Sequence, residues 1–227
     1  MTIVLIPIVD DTITFAEMAN DVSAFLQGCP SLVIERTMRK LIIDFCQRTK
    51  SWVADLSPAA YTAGVYELPL TPATPNAETA DILEAYIILA DGTKVPLRYA
   101  MYAFIRSAYP MWPENAVGQP EYVTNTNTGY SQLVPVPDVA GTLYIRAALR
   151  PIATAASWSR RMYTEFNRAI FHGTLHELLM MPERSWTDAK TAMYHGKQWT
   201  YLLGAARLRG ETGFNAGSLA ASMRPFA

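Results

Sequence analysis

Charge is scarce in this chain. Only 17% of its 227 residues are charged, whereas 50% are hydrophobic. Soluble domains usually carry about a quarter charged residues. The shortfall leaves two readings open: a large, well-buried monomer, or a surface partly reserved for other protein. Cysteine is scarce as well, with Cys29 and Cys46 alone and no CxxC spacing, which argues against the common zinc and redox motifs. Both read as small buried apolar residues kept in a reducing cytoplasm. No uninterrupted apolar run reaches the roughly 18 residues of a membrane-spanning helix. The start, Met1-Thr2-Ile3-Val4-Leu5-Ile6-Pro7, lacks the basic stretch that opens a signal peptide. The expectation is a protein made in the cytoplasm with no membrane partner. There is also no GxSxG, no P-loop, no GxGxxG, no internal repeat and no low-complexity run.

What charge there is lies unevenly. Residues 1–141 hold 8 Lys/Arg and 15 Asp/Glu, and residues 142–227 hold 11 Lys/Arg and 5 Asp/Glu, so a net of −7 faces a net of +6. Opposite ends of this kind suit subunits that meet head to side; equally, the two halves neutralise each other inside one fold. Arg supplies 14 of the 19 basic residues, and 12 Tyr, 8 Phe and 5 Trp accompany it. Arg, Tyr, Trp and Met are the residues enriched at protein interfaces.

The pattern along the chain alternates between two textures. Residues 11–27 form a short acidic, mildly amphipathic stretch. Pro30 then reads as a helix start. Ile34, Met38, Leu41, Ile42 and Phe45 make one apolar stripe of a helix from about Pro30 to Ser51. After Ser57-Pro58 the texture becomes strand-like, over Tyr61–Leu70 and again over Ile82–Leu89. Asp91-Gly92 before Val95-Pro96-Leu97 is a hairpin signal. Residues 99–131 are the least regular, and Thr124-Asn125-Thr126-Asn127-Thr128-Gly129 reads as an exposed loop tip. Gln132–Val136 and Thr142–Leu149 are further strand candidates, the second alternating as a half-buried strand does.

From Ser157 the spacing predicts helix to Pro182. Thr187 is placed to cap a last helix. That helix carries the small-residue stripe Ala189, Ala192, Met193, Gly196, Trp199, Leu203 and Ala206, and Gly210 ends it. The expected class is α+β: N- and C-terminal helices packed as one bundle, with a β-rich middle as an excursion. The expected parts are 1–60 (helical), 61–150 (β-rich insertion), 151–210 (helices completing the bundle) and 211–227 (extended tail).

Chemistry has one candidate. His172 and His176, at i and i+4, share a helix face and can bind one zinc. The metalloprotease version places Glu directly after the first His, where Gly173 stands here. His195 is the only further histidine. A metal-dependent hydrolase therefore remains the weaker reading, and no catalytic residue, cofactor or metal is expected. Arg160-Arg161 and Arg207 with Arg209 are short basic clusters with no nucleic-acid-binding module around them. A carbohydrate- or host-binding role for the many Tyr and Trp is disfavoured, because they fall mostly within core periodicity.

Five segments in order carry a family resemblance. They are Cys29-Pro30 with the helix through Arg39 and Ile43–Thr49, closed by Trp52; the Asp91-Gly92 hairpin; Leu133–Pro137 with Gly141–Pro151; Ile170–Leu175 with Leu178–Pro182; and Trp186-Thr187-Asp188 with the helix to Arg209. In this order the chain resembles the head-to-tail adaptor (neck or connector) proteins of tailed bacteriophages over roughly residues 28–210. The resemblance implies a non-enzymatic virion protein at the head–tail junction, assembled in the host cytoplasm. It implies a ring, usually of twelve copies, seated on the portal protein. Such a ring continues the DNA channel and offers a surface to tail nozzle, tube or fibre proteins, with DNA only in passage. Another ring-forming tail protein, such as a tail terminator or nozzle, is the nearest alternative. Two expectations follow for residues. The tail, through Leu219, Met223, Arg224 and Phe226, docks on the portal. The loop with Thr124, Asn125, Asn127 and Tyr130 reaches a neighbour or a tail protein.

Overall fold

A computed structural model describes residues 11–114, 116–125 and 129–212. The chain opens with strand β1 (Thr12–Thr14), helix α1 (Phe15–Ser23) and helix α2 (Ser31–Thr49). Three short strands follow, β2 (Val53–Asp55), β3 (Ala59–Tyr61) and β4 (Glu67–Pro69), then the long hairpin of β5 (Ala77–Leu89) and β6 (Lys94–Tyr99). Helix α3 (Tyr102–Ala108) leads to β7 (Val117–Gly118), β8 (Tyr122–Thr124), β9 (Tyr130–Val134) and β10 (Val136–Pro137). The chain returns along β11 (Gly141–Pro151), makes β12 (Ser157–Ser159), and finishes in α4 (Arg160–Leu179) and α5 (Ala189–Thr212). The class is mixed α+β, as the sequence pattern implies.

Local chemistry sets the helix ends. At α1, the Glu17 amide donates to Thr14 Oγ1 at 3.1 Å and the Thr14 amide donates to Glu17 Oε2 at 2.9 Å, a closed capping box. These bonds hold the Glu17 carboxyl below its ordinary value. Helix α2 buries Ile34, Met38, Leu41, Ile42, Phe45 and Cys46 and stops where Lys50 takes a left-handed conformation, φ 50°. Ser159 caps α4, its hydroxyl accepting from the Met162 amide.

Strand β11 organises the sheet. It pairs antiparallel with β5 along its length, from Gly141↔Leu89 to Pro151↔Ala77, and takes β2 and β3 on its other edge. Beyond β5 the order runs β6, β8, β9, β4, with β6 and β8 parallel. One face of this sheet packs against α2, which touches both β11 and β5. Helices α4 and α5 lie against α2 and against each other, and α1 contacts α2 and α4. Phe45 joins these elements, with ring centroids 5.1 Å from Phe166 and 5.9 Å from Trp199. Two glycines permit the close approach. A Cβ on Gly173 would stand 2.8 Å from both Leu41 and Trp199, and one on Gly196 would stand 2.9 Å from the His176 ring.

Several expectations are corrected. The residues from Ser157 do not begin a helix: Ser157–Ser159 pair with Thr12–Thr14 in a small two-stranded sheet, and α4 starts only at Arg160. Residues 99–131 are more regular than their prolines suggest, holding α3, β7 and β8. The single strand expected over Tyr61–Leu70 is interrupted, and its parts go to different neighbours, β3 to β11 and β4 to β9. Asp188, not Thr187, caps α5: its carboxylate accepts from the Lys190 and Thr191 amides at 3.1 Å each. Gly210 does not end α5, which continues to Thr212. Met193 leaves the inner stripe, at 61% exposed.

Candidate assembly surfaces

The loop expected to reach a neighbour is flanked by β8 and β9. Thr124 is fully buried and sits opposite Gln132 in the ladder, so its side chain belongs to the interior and not to the loop tip. Asn125 is half-buried, and its Oδ1 accepts a hydrogen bond from the Tyr99 hydroxyl at 3.0 Å. Tyr130 opens β9 opposite Pro69, with 46% of its surface exposed. Asn127 lies outside the described residues, as do Leu219, Met223, Arg224 and Phe226 of the tail.

Two apolar surfaces emerge that the sequence reading did not single out. The first surrounds α3. Only Ile105 of this helix is buried, over Trp112, Val134 and Val136. The rest of the segment faces outward, with Met101 at 73%, Met111 at 58% and Phe104 at 50% exposed. Aromatic contacts hold the segment in shape: Tyr102 and Tyr66 stand edge-on to Trp112, and Phe104 and Tyr109 lie against Tyr122. Arg106 donates to the Trp112 carbonyl at 3.2 Å, tying the helix to the turn that follows.

The second surface is the outer face of α5. At 100° per residue, Met193, Tyr194, Tyr201 and Leu208 fall within one arc, opposite Ala192, Gly196, Trp199, Leu203 and Ala206. The inner set packs on the core. The outer set is exposed, Tyr201 most of all at 73%. Helix α5 thus carries apolar side chains on two faces. The signal was present in the sequence, because a helix with two apolar arcs has one more than an isolated fold requires.

The histidines do not meet as the i, i+4 reading proposed. His172 Nδ1 lies 2.7 Å from Nδ1 of His195 on α5, so one ring donates and the other accepts. His176 Nδ1 donates instead to the Ala192 carbonyl, at 2.9 Å. Burial pushes the His172 imidazole below its ordinary value, and the neighbouring His195 and Arg168 add to the effect; burial, with His176 nearby, does the same to His195. Among the described residues, no group of three or more His, Cys, Asp or Glu side chains is arranged to hold a metal ion. Cys46 is fully buried and its thiol is pushed far up, whereas Cys29 is raised less by partial burial. No helix among the described residues is long and apolar enough to cross a membrane.

Exposed apolar faces on α3 and α5 suit a component of a larger assembly. No curated protein matches the chain significantly. The family model of the SU10 adaptor protein, however, matches residues 13–222, from the first strand to beyond α5. The chain therefore belongs to the SU10 adaptor protein family, a family of phage head-to-tail adaptors.

Proposed function

We propose that this virion protein assembles as a ring of twelve copies beneath the portal, where it continues the DNA channel and docks the tail. The role is structural and not catalytic. The N- and C-terminal helices act as one helical body, with the β-rich part packed against it through α2. The observation that carries this reading is the outer face of α5. Met193, Tyr194, Tyr201 and Leu208 are exposed on a helix whose other face already packs on the core. Exposed apolar side chains gathered on one helix face mark surface that a partner covers. The α3 surface, with Met101, Phe104 and Met111, is a second such area on a different part of the chain. Two unlike surfaces permit a heterologous contact, and repetition about an axis closes a ring when the rotation per subunit fits.

The tail residues Leu219, Met223, Arg224 and Phe226 are the proposed portal contact. Asn125, Asn127 and Tyr130 are the proposed contact to a neighbour or a tail protein. Assembly takes place in the host cytoplasm and ends at the head–tail junction. The test is the native mass of the complex formed with purified portal. A mass gain of twelve chains is expected, and a complex that forms with tail tube but not with portal would overturn the reading. Removal of residues 211–227 is expected to abolish portal binding while leaving the fold intact.

A further inference from the structure

Helices α2 and α4 pack on each other, and both α1 and α5 pack on that pair. Among the described residues, α1 and α5 do not pack on one another to any comparable extent. Two helices that each touch a central pair but not each other lie on opposite sides of it. The two outward faces differ in charge. On α1, Glu17, Asn20, Asp21 and Ala24 are exposed, and Phe15–Ser23 contains no cation. Neutral groups hold both carboxylates in place without cancelling their charge. Asp21 Oδ2 accepts from the Tyr163 hydroxyl at 2.6 Å, and Glu17 Oε2 accepts from the Thr14 amide and hydroxyl. Arg160, the cation at the start of α4, pairs with Asp11 at 2.7 Å. Just past the helix, Phe25 is 65% exposed, yet its ring is set edge-on to Phe171 at 5.2 Å. On α5, Met193, Tyr194 and Tyr201 share their outward arc with Lys190 and Lys197, and no carboxylate lies on it.

We propose that the α1 face of one copy of this chain docks on the outer face of α5 of the next copy. Met193, Tyr194 and Tyr201 cover Phe25, and Glu17 and Asp21 stand opposite Lys190 and Lys197. This contact rests on the ring assembly and names the two surfaces that build it. Charge selects the pairing. Two α5 faces, or two α1 faces, would bring like charges together. The α3 surface is a poorer mate for α5, because Arg98–Trp112 carries Arg98 and Arg106 and no carboxylate. That leaves α3 for a different protein. The α1 and α5 faces are unlike and lie on opposite sides of the helical body. Their contact is therefore heterologous: it passes from copy to copy about an axis and does not close as a two-fold pair.

The experiment titrates the full chain onto purified portal and follows native mass. Neighbours that touch fill the portal cooperatively, so empty and full complexes are expected with few intermediates. Asp21→Lys and Lys197→Glu should each raise the concentration for half-filling about tenfold and populate partly filled complexes. The combined Asp21→Lys/Lys197→Glu chain should regain cooperative filling, because the reversed charges face each other again. That recovery separates the contact from a folding defect, since Lys197→Glu cannot replace the bond from Tyr163 to Asp21. Phe25→Ser should weaken filling severalfold with unchanged circular dichroism. Cooperative filling by both single reversals, or failure of the combined chain to recover, would overturn the contact and leave the ring intact. Independent, one-by-one filling by the unaltered chain would also overturn it. No binding to portal at all would overturn the ring assembly and this contact together.

Discussion

The interior around α2 and the interior beneath α3 are built on different scales. The first joins α1, α2, α4, α5 and one face of the long β5–β11 ladder into a continuous apolar cluster. Phe45, Ile34, Ile42 and Met38 lie there with almost no exposure. The second has five buried residues, Ala100, Ile105, Trp112, Val134 and Val136, fringed by half-buried tyrosines. Each fully buried aliphatic or aromatic side chain contributes about 1.5–3 kcal/mol, so the small cluster holds its segment with far less. The large core sets how the helices sit on the sheet. The small one holds a seven-residue helix whose outer side chains are exposed.

This contrast can be broken at four points. Phe45→Ala removes the ring that touches Phe166 and Trp199, and should cost about 4 kcal/mol of global stability. A denaturant titration with the same shift for every probe is the expected result; a loss confined to one region would contradict the single large core. Ile105→Ala is the matching cut in the small cluster. It should cost roughly 2–3 kcal/mol locally, seen as faster amide exchange over α3 with the exchange of α2 unchanged. Faster exchange in both would show that the two clusters are one cooperative unit. Thr14→Ala opens the capping box of α1 and should cost about 1 kcal/mol, measured as a lower Tm.

The smallest expected effect is acid sensitivity at the contact between α4 and α5. Burial holds His172 and His195 below their ordinary value of 6.5. Between the lowered folded value and 6.5 the unfolded chain binds protons more readily than the folded one. Stability is therefore complete above that window and falls as pH drops through it. The paired Nδ1 atoms, 2.7 Å apart, share one proton and cannot both be protonated in place. His195→Gln should flatten the decline of Tm between pH 7 and 5; an unchanged slope would move the acid sensitivity elsewhere.

Much of the helical body was legible in the residue order. The stripe Ile34, Met38, Leu41, Ile42 and Phe45 is the buried face of α2, and the Asp91-Gly92 turn joins β5 to β6. Helical spacing survives in the sequence because one face of each helix is buried continuously. The misses have physical causes as well. Three-residue strands such as β1 and β12 carry too few residues to show a period, and they exist only because they pair with each other across a long sequence separation. Seven-residue α3 is likewise too short to announce itself, with a single buried residue, Ile105. Thr124 read as loop because the polar run around it is loop-like, yet a cross-strand partner at Gln132 draws it inside.

By itself the sequence determined the α+β class, the long helices, the central hairpin and the separation of negative from positive charge. All of these follow from local spacing and composition, and local preference suffices to state them. Tertiary structure alone decided which histidine meets which, because His172 and His195 lie on different helices brought together by the small residues Gly173 and Gly196. It alone gathered the arginines at 48, 146, 161, 207 and 209 into one groove. Those arginines are spread over most of the chain, and only the packing of α4 and α5 on α2 and the sheet brings their charges to a common surface.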